Sequence, residues 1–181
     1  MKYVNYMLIL ILGITIIFSG CIANDTNKDI NTNLIKEVQI NQNQISNLEL
    51  NQNEINALNF AINDEYKARA VYQKVIDKFG QVKPFSNIIL AESQHISELE
   101  VLFNKYKLEI PQDDWDNKVN EYSSVSEACS VGVTAEIENA DLYDVLLKDI
   151  TRDDIRIVFI ALRDASRIKH LPAFERCGNN N

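Results

Sequence analysis

The chain is 181 residues long with 5 glycines and 3 prolines, a balance that argues against loop-rich and all-β folds and favours long helices. Its length supports one domain of ordinary size plus a short appendage, because a core of roughly 100 to 150 residues already buries most of the apolar surface it can. A formal charge of −8 without a basic patch argues against a nucleic-acid partner, since phosphate recognition needs clustered Lys and Arg.

Lys2 precedes an apolar run from Met7 to Phe18, which is shorter than the roughly 20 residues of a membrane span but of signal-peptide size. Small residues then lead to Cys21, and Phe18-Ser19-Gly20-Cys21 resembles a bacterial lipobox. Residues 1–21 are therefore predicted to be a signal peptide with Cys21 lipidated, the alternative being an uncleaved anchor helix from Tyr3 to Ile22. Either reading places the remaining chain at the cell membrane, facing outward. Residues 22–50 are rich in Asn, Gln, Asp and Thr and read as a polar linker, with transient helix allowed around Leu34 to Leu50.

From residue 51 to about 178 the pattern becomes regular and all-α. Asn51 with Glu54 has the form of a helix start, and the first helix is predicted over Gln52–Phe79, stopping at Gly80. Pro84 suits the first turn of a second helix that reaches about Lys107. Residues 108–124, with aspartates around Trp115, read as a crossing loop holding at most a short helical turn. A third helix is predicted from Ser126 to Asp149, and Thr151 with Asp154 repeats the capping pattern to open a fourth. It should last to about Lys169 or beyond, with Pro172 kinking or ending it.

Charged residues interrupt the apolar stripes of these helices. In the first, Leu58, Ala61, Glu65, Ala68, Tyr72, Val75 and Phe79 recur at steps of three and four; in the second, Ile88, Glu92, His95, Leu99 and Leu102 do the same. A lone buried carboxylate costs several kcal/mol or takes up a proton, so two at matching depth call for a cation. Glu92 and His95 lie three apart on one face and can reach the same ion. The third helix reads as Ala128, Val131, Ala135, Glu138, Leu142 and Val145, with Asp141 one turn beyond Glu138; the fourth places His170 on the face of Phe159, Leu162 and Ser166. Four carboxylates (Glu65, Glu92, Glu138, Asp141) and two histidines (His95, His170) make the ligand set of a bundle-housed di-iron or di-manganese centre. The alternative is a bundle whose acids pair with Arg69, Arg163 or Arg167.

Glu65-x-x-Ala68-x-x-x-Tyr72 and Glu92-x-x-His95 resemble the first two helices of rubrerythrin-type proteins. The stretches from Asp64 to Tyr72, Glu136 to Leu142 and His170 to Phe174 look like DUF2202, a ferritin-like domain, over about Leu50 to Cys177. The resemblance implies an antiparallel ferritin-like four-helix bundle and a di-metal site. A rubrerythrin-like fourth helix would carry a second ExxH, but Arg167 stands three residues before His170 and cannot ligate a cation. Asp141 is assigned the missing carboxylate.

The expected function is a membrane-tethered protein with a di-iron centre that binds dioxygen or peroxide, with di-manganese, zinc or no metal as the alternatives. Metal sequestration or sensing without turnover, or a structural lipoprotein domain with a decayed site, are the competing readings. A lipid tether argues against a closed cage and leaves a homodimer open. Cys129 and Cys177 either pair in an oxidising compartment or remain two ordinary cysteines.

Overall fold

Helix α1 (Gln52–Phe79) starts where the side chain of Asn51 accepts from the Glu54 backbone N–H while the Glu54 carboxylate accepts from the Asn51 N–H. This reciprocal pairing satisfies two of the donors that a helix start leaves unpaired. At the other end Gly80 takes a φ of 82°, a conformation that favours glycine, and breaks the helix. The structure is a computed structural model that describes residues 32, 34–39 and 49–179. It divides into Met1–Ile45, in which residues 34–39 are helical, and Ser46–Asn181. Segment 1–21 and Cys21 lie outside the described residues, among which no helix is long and apolar enough to cross a membrane.

The second unit is a helical bundle, with no strand among its described residues. After α1 come α2 (Phe85–Lys105), a single 3-10 turn (Trp115–Asn117), α3 (Val125–Leu146), α4 (Asp153–Ala165), a π turn (Ser166–His170) and α5 (Leu171–Asn179). Ser124, rather than the expected Ser126, caps α3 by accepting from the Glu127 N–H. Thr151 does not cap α4 as expected. Its N–H and hydroxyl donate to the buried Glu54 carboxylate at 3.1 and 2.7 Å, tying the α3–α4 loop to the start of α1.

Two apolar cores reveal the topology. One joins Leu58 and Ile62 of early α1 to Leu99 and Phe103 of late α2, Tyr143 of late α3 and Ile155 and Phe159 of early α4. The other joins Tyr72 and Val75 of late α1 to Phe85 and Ile88 of early α2, Cys129 of early α3 and Phe174 of α5. Thus α1 and the α4–α5 run point one way while α2 and α3 point the other. Residues 106–124 must return along the bundle between α2 and α3, and they do: Leu108 and Trp115 pack on the first core, Val119 and Tyr122 on the second. Arg69 of α1 pairs with Asp113 at 2.7 Å and fastens this crossover.

The fourth helix neither ends at Pro172 nor stays regular. Leu162, Ser166, His170 and Phe174 are all buried, a run of four-residue steps that a helix of 3.6 residues per turn would rotate off the core. The π turn absorbs that drift, with the Leu171 N–H bonded to the Ser166 carbonyl five residues back. Proline 172 also lacks the N–H that a regular turn would need there. Cys129 and Cys177 form a disulfide that holds α5 to α3. The close approach needs Gly132, where a Cβ would sit 2.5 Å from the Phe174 ring.

Candidate metal centre

Between the two cores lies a polar layer to which each long element contributes. Glu65 comes from α1, Glu92 and His95 from α2, Glu136 from α3 and His170 from the π turn, and all five are buried. Their ligand atoms form two overlapping triads, Glu65–Glu92–His95 and Glu92–Glu136–His170, each with its atoms within 4.8 Å of one another. Glu92 belongs to both. Its Oε2 lies 2.9 Å from His95 Nδ1 and its Oε1 lies 3.2 Å from His170 Nδ1, so one carboxylate presents a different oxygen to each imidazole. The rings stack with centroids 5.6 Å apart.

His95 Nδ1 is also 3.1 Å from Glu65 Oε2. His170 Nδ1 lies 3.4 Å from Glu136 Oε2, yet this buried nitrogen makes no well-aligned hydrogen bond. A buried nitrogen aimed at two carboxylates without completing a hydrogen bond fits a cation held among them.

Burial alone would strip the imidazoles of their protons, but hydrogen bonding to Glu65 and Glu92 pushes His95 up to about 10. For His170 burial works the same way, and the charges of Glu92 and Glu136, 3.2 and 3.4 Å from its Nδ1, push it up to about 9. Burial works against ionisation of Glu92, yet the two imidazoles hold its carboxyl below the usual range. Glu65, in contrast, is pushed up by burial. The paired carboxylates thus favour positive charge among them, the charge a bound cation would supply.

A second ring of groups orients the carboxylates. Tyr143 donates to Glu65 Oε1 at 2.7 Å and Tyr72 to Glu136 Oε1 at 2.5 Å. Burial and the adjacent acids push both phenols well above their ordinary range, so they remain donors. Asn139 donates to Glu65 Oε1 at 3.1 Å, and Ser166 donates to the Asn139 carbonyl at 2.7 Å.

Of the residues expected from sequence, Glu65, Glu92, His95 and His170 come together here. Glu138 and Asp141 do not: both are exposed on the outer side of α3, and Glu136 takes the inward place. This corrects the expected register of α3, whose buried stripe is Cys129, Gly132, Glu136, Asn139 and Tyr143. Val131 and Val145, which define the expected stripe, are 36% and 57% exposed. A signal was present: Glu65 precedes Tyr72 by seven residues, and Glu136 precedes Tyr143 by the same interval. Asp141 instead lies 3.8 Å from Arg167, which turns outward to Asp144 at 2.8 Å. Ser166 faces inward in its place. Arg69 and Arg163 also pair with acids outside the cluster, Asp113, Asp144 and Asp164.

A family model described as "Uncharacterized protein domain (DUF2202)" matches residues 54–181. The crystal structure of a hypothetical protein from Methanococcus jannaschii DSM 2661 is similar, with a TM-score of 0.66 and 24% identity over 73% of this chain and 83% of that one. That likeness concerns the fold. No match was found among curated proteins.

Proposed function

This chain belongs to the DUF2202 family, and we propose that its helical domain is a ferritin-like bundle in which Glu65, Glu92, His95, Glu136 and His170 would hold two metal ions, with Glu92 offering an oxygen to each. The observation that carries the reading is the division of the two Glu92 oxygens between His95 and His170, each completed by one further buried carboxylate. The single long crossover between α2 and α3 supports the ferritin-like assignment, since folds of that group use one such connection. Carboxylate oxygen with one imidazole per ion suits iron or manganese, and di-iron is the reading we favour.

One position would be held by Glu65, Glu92 and His95, the other by Glu92, Glu136 and His170. Three protein donors apiece leave room for an outside ligand, and iron bound there would supply the means to bind and activate dioxygen or a peroxide. Around it Tyr72 and Tyr143 hold protons at their phenol oxygens against Glu136 and Glu65 and fix the rotamers of those carboxylates. The apolar cores above and below close the layer at its two ends.

The domain is further proposed to be tethered to the outer face of the membrane, through a lipidated Cys21 or an uncleaved anchor. The Cys129–Cys177 bridge supports an oxidising compartment.

Metal analysis of anaerobically produced full chain is expected to give two ions per molecule, and peroxide is expected to be consumed faster than by Glu92→Ala. Absence of stoichiometric metal would remove the reading. Metal without faster consumption would leave sequestration or sensing.

A further inference from the structure

Between α1, α3 and the crossover lies a cavity of about 500 Å³. Its lining runs from exposed residues, Lys118 and Thr134 among them, down to Tyr72, Glu92, Glu136 and Asn139 of the polar layer. The walls are mainly apolar, with Val71 and Ala68 from α1, Val131 and Ala135 from α3 and Val119 and Tyr122 from the crossover, interrupted by Asn120 and Ser130. Dioxygen and peroxide have two heavy atoms and need little more room than water, whose share of liquid volume is about 30 Å³. This space is more than tenfold larger and falls within the roughly 300–1,000 Å³ of organic-ligand sites.

Charge narrows the occupant. The lining carries Lys67 and Lys118 against Asp64, Glu127 and Glu138, with Glu92 and Glu136 at the floor, so acids prevail and an anion is disfavoured. Lys118 is held 2.6 Å from Asp114, while Glu92 and Glu136 already face His95 and His170 and Asp64 accepts from Asn139, which leaves no free acid for a cation at the inner end. Nothing in the apolar walls would compensate a buried charge.

We infer that the cavity binds a small uncharged organic molecule with an apolar body, seated with one end on the Glu92–Glu136 edge of the polar layer. Only the contact with bound metal rests on the reading above; the cavity's shape and lining do not. The crossover thereby forms one wall of the site, and Arg69 and Asp113 fasten the segment that carries Val119 and Tyr122.

Fluorine NMR on the full chain tests this, with 4-fluorobenzyl alcohol as probe and 4-fluorobenzoate and 4-fluorobenzylamine as charged counterparts of the same size. The alcohol line is expected to broaden with protein, and the affinity to fall at least about tenfold in Val131→Trp, which fills the cavity from a partly exposed position. Ala135→Leu replaces that variant if circular dichroism shows it unfolded. Adding Mn2+ is expected to relax the bound fluorine further in the wild type. No broadening, equal or tighter binding of either charged probe, or broadening unchanged by the filling variants would overturn the inference. Stoichiometric Mn2+ without added relaxation would overturn the seating on the polar layer. If Mn2+ does not bind, the metal reading fails, while broadening and its loss on filling still decide the cavity.

Discussion

Removing the hydroxyl of Tyr72 or Tyr143 tests whether the carboxylates are positioned for metal. Phenylalanine keeps the ring and its packing, so the change is confined to one charge-assisted hydrogen bond, of 2.5 Å to Glu136 or 2.7 Å to Glu65. Such a bond contributes about 1.5–3 kcal/mol, which at 1.4 kcal/mol per decade is about 10- to 100-fold in affinity. The two variants should differ. Glu65 Oε1 keeps the Asn139 donor at 3.1 Å, so Tyr143→Phe is expected near the lower end and Tyr72→Phe near the upper. Calorimetric titration of the full chain with Mn2+ reads both. Wild-type affinity in both variants, or a larger loss in Tyr143→Phe, would refute the reasoning.

Burial resists ionisation of Glu54, but hydrogen bonds from Thr151 and Asn51 outweigh it and hold the carboxyl below its ordinary 4.5. Its contribution to stability is therefore complete above that value and lost as pH falls through the lowered folded one, so urea midpoints should drop faster below pH 4.5 in the wild type than in Glu54→Gln. Gly132→Val should destabilise by about 1–3 kcal/mol, because Phe174 blocks even a Cβ, and an unchanged melting temperature would contradict the close packing of α5 on α3. Cys177→Ser opens a link across 48 residues of sequence, for which chain entropy gives a loss of up to about 4 kcal/mol; equal denaturant midpoints with and without reductant would count against the bridge.

Helix α1 was legible to the residue because its signals are local: a capping box at Asn51 and a glycine at its end. Glu92 and His95 were legible because they interrupt an unbroken apolar stripe. The face of α3 was not, since the residues it buries beside the site are Gly132, Glu136 and Asn139, which carry no apolar signal, while the exposed Val131 and Val145 do. There the recurrence of Glu and Tyr seven residues apart was better information than hydropathy. The π turn was equally hidden, because it is a tertiary adjustment that keeps Ser166, His170 and Phe174 inward despite four-residue steps.

Anomalous diffraction from crystals of the full chain grown with Mn2+ tests the central claim most directly. Two peaks are expected, one among Glu65, Glu92 and His95 and one among Glu92, Glu136 and His170, with Glu92 contacting both. An empty polar layer, or a peak at Glu138 and Asp141 instead, would contradict it.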